Sequence, residues 1–150
     1  MSSIALRARV VLPISLALAL AACGGTAPAT SNAVSEEPQE VTMTMREFTF
    51  DPTEISARLG QPVRLALVNK GTLLHDFSSM DAKVEVMSMQ EGAAHDMGDL
   101  ESQMTMHMAV DASTTETLEF TPTEAGTYEF YCSVEGHKAA GMVGKLIVTP

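Results

Sequence analysis

From Val41 onward, apolar residues recur at every second position. The run "VTMTM" puts Val41, Met43 and Met45 on one face, and "VRLAL" does the same with Val63, Leu65 and Leu67. In "TYEFYC", Tyr128, Phe130 and Cys132 share one face while Glu129 and Tyr131 take the other. A period of two is the signature of a strand with one buried side. "EISAR", "TETLEF" and "GKLIVTP" read as further strands, and "DPTE", "LGQP" and "TPTEAG" are the turns between them. Short strands separated by Gly/Pro turns predict an all-β sandwich or barrel. The phase slips after Met45 before Phe48 and Phe50 continue it, which predicts a β-bulge near Arg46–Glu47.

The alternation does not cover the whole chain of 150 residues. Residues 1–22 have the pattern of a secretory signal. Arg7 and Arg9 supply the positive start, and "VVLPISLALALAA" is an apolar stretch too short to span a bilayer comfortably. It runs into "LAAC", which resembles a bacterial lipobox with Cys23 as the lipidated first residue of the mature chain. An ordinary cleavage site with an incidental cysteine is the alternative. Residues 23–40 are rich in Gly, Ala, Ser, Thr and Pro and read as a flexible tether. The globular domain is then expected over 41–150, enough chain for one core. The predicted location is an exported lipoprotein, held on the membrane by its lipid and facing the periplasm or the cell exterior.

Losing Arg7 and Arg9 with the signal leaves seven basic and nineteen acidic side chains, a formal net charge of −12. That argues against nucleic acid as a partner and would attract a positively charged protein. With Cys23 lipidated, Cys132 is the one remaining thiol. No disulfide can form within the mature fold, and an unprotected thiol outside the cytoplasm oxidises. A metal would protect it.

Cys132 opens the stretch "CSVEGHKAAGM", in which His137 and Met142 follow at steps of five. Taken singly, a cysteine is often a small buried residue, a histidine a solvated one and a methionine packing. Together, on a Gly-containing turn after a strand, a thiolate, an imidazole and a thioether suit copper. Two imidazoles and a thiolate with a weak axial methionine make a blue-copper electron-transfer site. His75, in "NKGTLLHDF" after a strand and a Gly turn, is the best placed of the four histidines to supply the second imidazole. Zinc is the competing metal, but thioether is a poor zinc ligand and structural zinc sites usually bring more cysteines.

Residues 80–108 stand apart, with seven methionines and the histidines His95 and His107. Met104, Met106 and Met108 alternate as a strand would, whereas "AAHDMGDLESQ" suits a short helix or a loop. The segment reads as an excursion between two halves of the sandwich. Met104, Met106, His107 and Met108 are candidate auxiliary copper ligands. Against that, strand alternation puts His107 on the face opposite the three methionines, so packing or docking is the favoured role.

"TPTEAGTYEFYCSVEGHKAAGMVGKLIVTP" resembles the copper-loop half of the cupredoxins, the type 1 blue copper proteins that include plastocyanin and azurin. "MTMREFTFDPTEISARLGQPVRLALVNKGTLLHDF" resembles their first half, which leads to the first copper histidine. The Cys-x4-His-x4-Met spacing is most similar to that of auracyanin. The resemblance covers 43–150 apart from the Met-rich excursion and implies a Greek-key β-sandwich holding one type 1 copper. By position, His75, Cys132 and His137 would be its strong ligands and Met142 the axial one. The family commonly has Asn after the first histidine; here Asp76 stands there and is expected to reach Ser133 and tie the two ligand loops together. The implied function is single-electron transport between redox proteins, such as a c-type cytochrome or a membrane complex, with no substrate transformed. Ala139 to Val143 would form a small apolar docking patch around an exposed edge of His137. Copper delivery or storage, using 80–108, is the alternative.

Overall fold

The computed structural model describes residues 37–89 and 103–150. The proposed signal, Cys23, most of the tether, His95 and nearly all of "AAHDMGDLESQ" lie outside the described residues. The chain forms β1 (Gln39–Arg46), β2 (Thr49–Asp51), β3 (Glu54–Arg58), β4 (Val63–Asn69), β5 (His75–Ser79), β6 (Val84–Met89), β7 (Met106–Val110), β8 (Thr115–Pro122), β9 (Gly126–Tyr131) and β10 (Val143–Thr149). β1 starts two residues ahead of the expected Val41.

These strands build two five-stranded sheets, one in the order β2-β1-β4-β8-β6 and the other β3-β10-β9-β5-β7. Most neighbours are antiparallel, but β1 runs parallel to β4 and β3 parallel to β10. The all-β sandwich follows from the alternation. Met43 and Met45 of β1, Val63, Leu65 and Leu67 of β4, and Leu118 and Phe120 of β8 turn their side chains into the same core. The facing sheet contributes Phe77, Tyr128, Phe130, Leu146 and Val148. Phe50, Phe77 and Phe130 pack ring to ring at centre of it, with Phe77 and Phe130 centroids 4.7 Å apart.

Two expectations need correction. The phase slip after Met45 is a reversal of the chain, not a bulge. β1 and β2 pair antiparallel up to Arg46↔Thr49, which leaves Glu47 and Phe48 as the two residues of a tight hairpin turn. Phe50 is buried as expected, but Phe48 has a positive φ of 61° and is 42% exposed. An aromatic side chain at a turn tip follows the turn and not the strand alternation.

The Met-rich stretch begins and ends as strand. β6 is the edge of the first sheet and β7 the edge of the second, so the segment between them joins the two sheets. Met106 and Met108 are core residues on β7. Their period-two spacing makes them inward-facing, while His107 takes the opposite face.

Candidate metal centre

The donors meet at one pole of the sandwich because three chain breaks coincide there. His75 is the first residue of β5, Cys132 follows the last residue of β9, and His137 and Met142 lie on the connection from β9 to β10. β5 is paired with β7 and touches β9 at Ser78↔Tyr131, so all five of its residues are buried. Its start is thereby fixed beside the end of β9.

One ligand atom each from His75, Cys132 and His137 lies within 4.8 Å of the others, and all three residues are buried. The atoms that converge are the two Nδ1 nitrogens and the sulfur. His75 Nδ1 is 3.2 Å from His137 Nδ1, and Cys132 Sγ is 3.4 Å from His137 Nδ1 and 4.0 Å from His75 Nδ1. Met142 is fully buried in the same cluster of residues. Its amide donates to the His137 carbonyl and its carbonyl accepts the Cys132 amide, both at 3.1 Å. The connection is wound tightly, with His137 bonded back to Val134 and Ala140 to Gly136. Gly141 reaches a φ of 102° between His137 and Met142, a conformation that a side chain would strain.

Asp76 occupies the place next to His75 and does what its position suggested. The Ser133 amide donates to its Oδ1 at 2.8 Å and the Ser133 hydroxyl to its Oδ2 at 2.6 Å. The Asp76 amide points at Cys132 Sγ, 3.4 Å away. Oδ1 also accepts the Ser78 hydroxyl at 2.7 Å, and Ser78 Oγ lies 2.8 Å from His107 Nδ1. His107 therefore belongs to a polar chain that ends beside Cys132, and not to a cluster with Met104, Met106 and Met108. Those four residues are not brought to one point.

Electrostatics of the metal-free site follow from burial. Burial pushes the Cys132 thiol up to about 11, with the Asp76 carboxylate adding to the effect. Burial, then the neighbouring His137, holds His75 below the ordinary imidazole value. A thiol and two imidazoles facing each other at these distances satisfy one another poorly. The His75 Nε2 atom is buried without a hydrogen-bond partner. A soft cation accepting both Nδ1 lone pairs and the thiolate relieves the crowding of the three donors, while Nε2 stays on the far side of the ring, and no carboxylate joins the triad to favour a hard ion. The residues present fit copper.

Three contributors escaped sequence reasoning. Phe48 stands edge-on over His137, with ring centroids 5.1 Å apart at 90°. Glu47 Oε1 accepts from the Thr72 amide at 2.6 Å and the Thr72 hydroxyl at 2.9 Å, on the loop that leads into His75. Asn69 braces that loop from within, donating to the Leu73 and Val110 carbonyls and accepting from the Gly71 amide. The phase slip at Arg46–Glu47 was the available sign of the first two.

A family model described as a cupredoxin-like domain matches residues 14–148. The chain belongs to the cupredoxin-like family. Among curated proteins, it is similar to the copper-resistant cuproprotein CopI of Rubrivivax gelatinosus, 36% identical over 105 residues covering 66% of this chain and 59% of that protein. It is also similar to auracyanin-B of Chloroflexus aurantiacus, 28% identical over 145 residues covering 88% of this chain and 62% of that one. The chain thus spans about three fifths of the length of each of these relatives. Among solved structures, reduced auracyanin from Roseiflexus castenholzii superimposes with a TM-score of 0.57 at 21% identity, covering 75% of this cupredoxin and 98% of auracyanin. That likeness establishes the sandwich fold. Cupredoxins hold one copper, and His75, Cys132, His137 and Met142 are positioned as a type 1 copper site.

Proposed function

We propose that this cupredoxin is an exported electron carrier, anchored by lipid at Cys23, that passes single electrons between redox proteins. His75, Cys132 and His137 act as the strong copper ligands and Met142 as the weak axial one. Copper supplies the one-electron chemistry, alternating between Cu(I) and Cu(II). The observation that carries the reading is the convergence of two Nδ1 atoms and Sγ within 4.8 Å at one pole of a rigid sandwich. The chain's own hydrogen bonds hold each donor: Asp76 and Ser133 lock one ligand loop to the other, and the Met142 backbone locks His137 to Cys132. Donors held this way change position little when the metal's charge changes, which keeps reorganisation small and transfer fast.

His137 is the more accessible imidazole, at 6% exposure, and Phe48 stands over it. Ala139, Ala140 and Gly141 are exposed beside it, and Phe48 and Leu73 add to the apolar rim, at 42% and 45% exposure. A rim of this kind suits brief docking of a redox protein such as a c-type cytochrome or a membrane complex. A mature charge of −12 favours a partner with a basic face. No substrate pocket is required, and the protein is not an enzyme.

Copper handling is the second reading. It is favoured by the CopI relative, whose name marks it as a copper-resistance protein. A visible spectrum of the Cu(II)-loaded protein decides, with Cys132→Ser as control. A carrier of electrons shows an intense thiolate-to-copper band, lost in the control, and cycles reversibly in voltammetry while keeping its metal. A delivery protein gives its copper up to an acceptor, and the electron-carrier reading fails if it does so.

A further inference from the structure

We infer that the Glu47–Phe48 turn is a two-pronged clamp on the copper imidazoles, in which the Glu47 carboxylate takes the Nε2–H of His75 and keeps that ring's Nδ1 turned toward Cys132. The inference rests on the copper reading for the use made of Nδ1, but the placement of the proton is a property of the chain itself.

The turn is built for reach and not for ease. Left-handed backbone is costly for a bulky side chain, yet Phe48 adopts a φ of 61°. The return is its ring edge-on against His137 at 5.1 Å. Its neighbour in the same turn, Glu47, lies near enough to the other imidazole to act on it electrostatically. Glu47 Oε1 is fixed by two bonds from Thr72, three residues before His75. Those bonds hold its carboxyl down at about 2, so it carries a full negative charge at any physiological pH.

The backbone of Gly71 lies close to both Glu47 and His75. A methyl group built on that glycine would stand 2.9 Å from Glu47 Oε1, 3.1 Å from His75 Nε2 and 3.2 Å from Asn69 Oδ1. Three polar atoms thus face one small space that only glycine leaves open. Asn69 Oδ1 is already engaged by the Gly71 amide at 2.9 Å, and the asparagine is held by both bonds from its Nδ2. His75 Nε2 is buried and unpartnered, an expensive state for a polar atom. The Glu47 carboxylate is the charged acceptor beside the same space, although the two groups are not bonded in this structure. A neutral imidazole offering Nδ1 to a metal must carry its proton on Nε2, and a carboxylate on that proton fixes the tautomer, orients the ring and raises its basicity. Glu47 is therefore a positioning residue for His75, as Phe48 is for His137, and one hairpin turn sets both rings.

The test uses long-range 15N–1H NMR on the full chain, first metal-free and then loaded with diamagnetic Cu(I), with Glu47→Gln and Gly71→Ala compared to wild type. Gln keeps an oxygen for Thr72 but loses the charge; Ala keeps the charge but wedges the two groups apart. Wild type is expected to hold His75 as the Nε2–H tautomer with a slowly exchanging proton. Both variants should exchange that proton roughly tenfold faster or more, as loss of a charge-assisted bond implies. Glu47→Gln should also raise the copper reduction potential in voltammetry. A wild-type His75 carrying its proton on Nδ1 in the metal-free chain overturns the inference. So does a Glu47→Gln protein with unchanged Nε2–H exchange and potential but a lower melting temperature, because Glu47 would then merely staple the Thr72 loop. The metal-free spectra give their answer even if the chain takes up no copper, so failure of the clamp is separable from failure of the copper reading.

Discussion

The carboxylate of Asp76 grips Ser133 with both oxygens, at 2.8 Å to its amide and 2.6 Å to its hydroxyl. This links the residue after the first copper histidine to the residue after the copper cysteine, and it puts a buried negative charge within the metal's surroundings.

Asp76→Asn separates the link from the charge. An Asn oxygen can still accept from the Ser133 amide and the Ser78 hydroxyl, and its amide can donate to the Ser133 hydroxyl. The geometry should survive while the negative charge is lost. Cu(II) depends on nearby negative charge more than Cu(I), so the reduction potential should rise. A partly screened charge at this range is worth on the order of 1–2 kcal/mol, roughly 50–100 mV for one electron. Protein-film voltammetry returning an equal or lower potential would contradict this account.

The metal-free fold should be most stable between about pH 6.5 and 9. Below that window the unfolded chain protonates His75 at the ordinary value of 6.5 while the folded chain resists, so stability falls as pH drops. Above it the unfolded chain ionises Cys132 at the ordinary 9.0 while the folded chain keeps its proton to about 11, so stability falls as pH rises. The alkaline loss attributable to the thiol is on the order of 2–3 kcal/mol. Urea denaturation of metal-free protein across this range checks it, and Cys132→Ala should flatten the alkaline limb alone. An alkaline limb of equal slope in that variant would rule the thiol out as its cause.

Much of the strand set and three of the donors were legible because each is written locally: alternation for β1, β4 and β9, and a spaced run of Cys, His and Met after β9. His75 came from its place after a strand and a Gly turn and from the family resemblance, and β2, β5 and β6 were not read as strands. The Glu47–Phe48 turn was not legible either. Its phase slip signals an irregularity, but a bulge and a hairpin share that signature, and only the antiparallel pairing of Arg46 with Thr49 tells them apart. Phe48 looked like a core residue because hydrophobicity does not report φ. Asn69, Gly71 and Thr72 act through contacts with residues far along the chain or with bare backbone, which no spacing encodes. Asp76 and Ser133 became readable only through the resemblance that aligned the two loops.

Met106 and Met108 lie in the core and His107 bonds Ser78 on the opposite face of β7. Replacing Met106 and Met108 with Leu should therefore leave the copper stoichiometry at one and cost under about 1.5 kcal/mol each, the usual range for such volume-conserving swaps. Cu(I) titration of wild type and the double variant gives the measurement. A second equivalent present in wild type and lost in the variant would make these thioethers ligands after all.

Met142 carries two roles that different substitutions pull apart. Its side chain is fully buried, and its backbone joins His137 to Cys132 through bonds that any residue can make. Met142→Ala should open a cavity and destabilise the metal-free protein by about 2–5 kcal/mol. Met142→Leu should refill most of that space and hold the loss under about 1.5 kcal/mol. Both variants lack the sulfur. A change in the charge-transfer spectrum or potential shared by the two would therefore report the missing thioether, while a difference between them in denaturant midpoint would report packing. Equal stability losses in the metal-free state would mean that the site collapses around either side chain. Spectra of both variants indistinguishable from wild type would show that Met142 is packing alone and gives the copper no fourth donor.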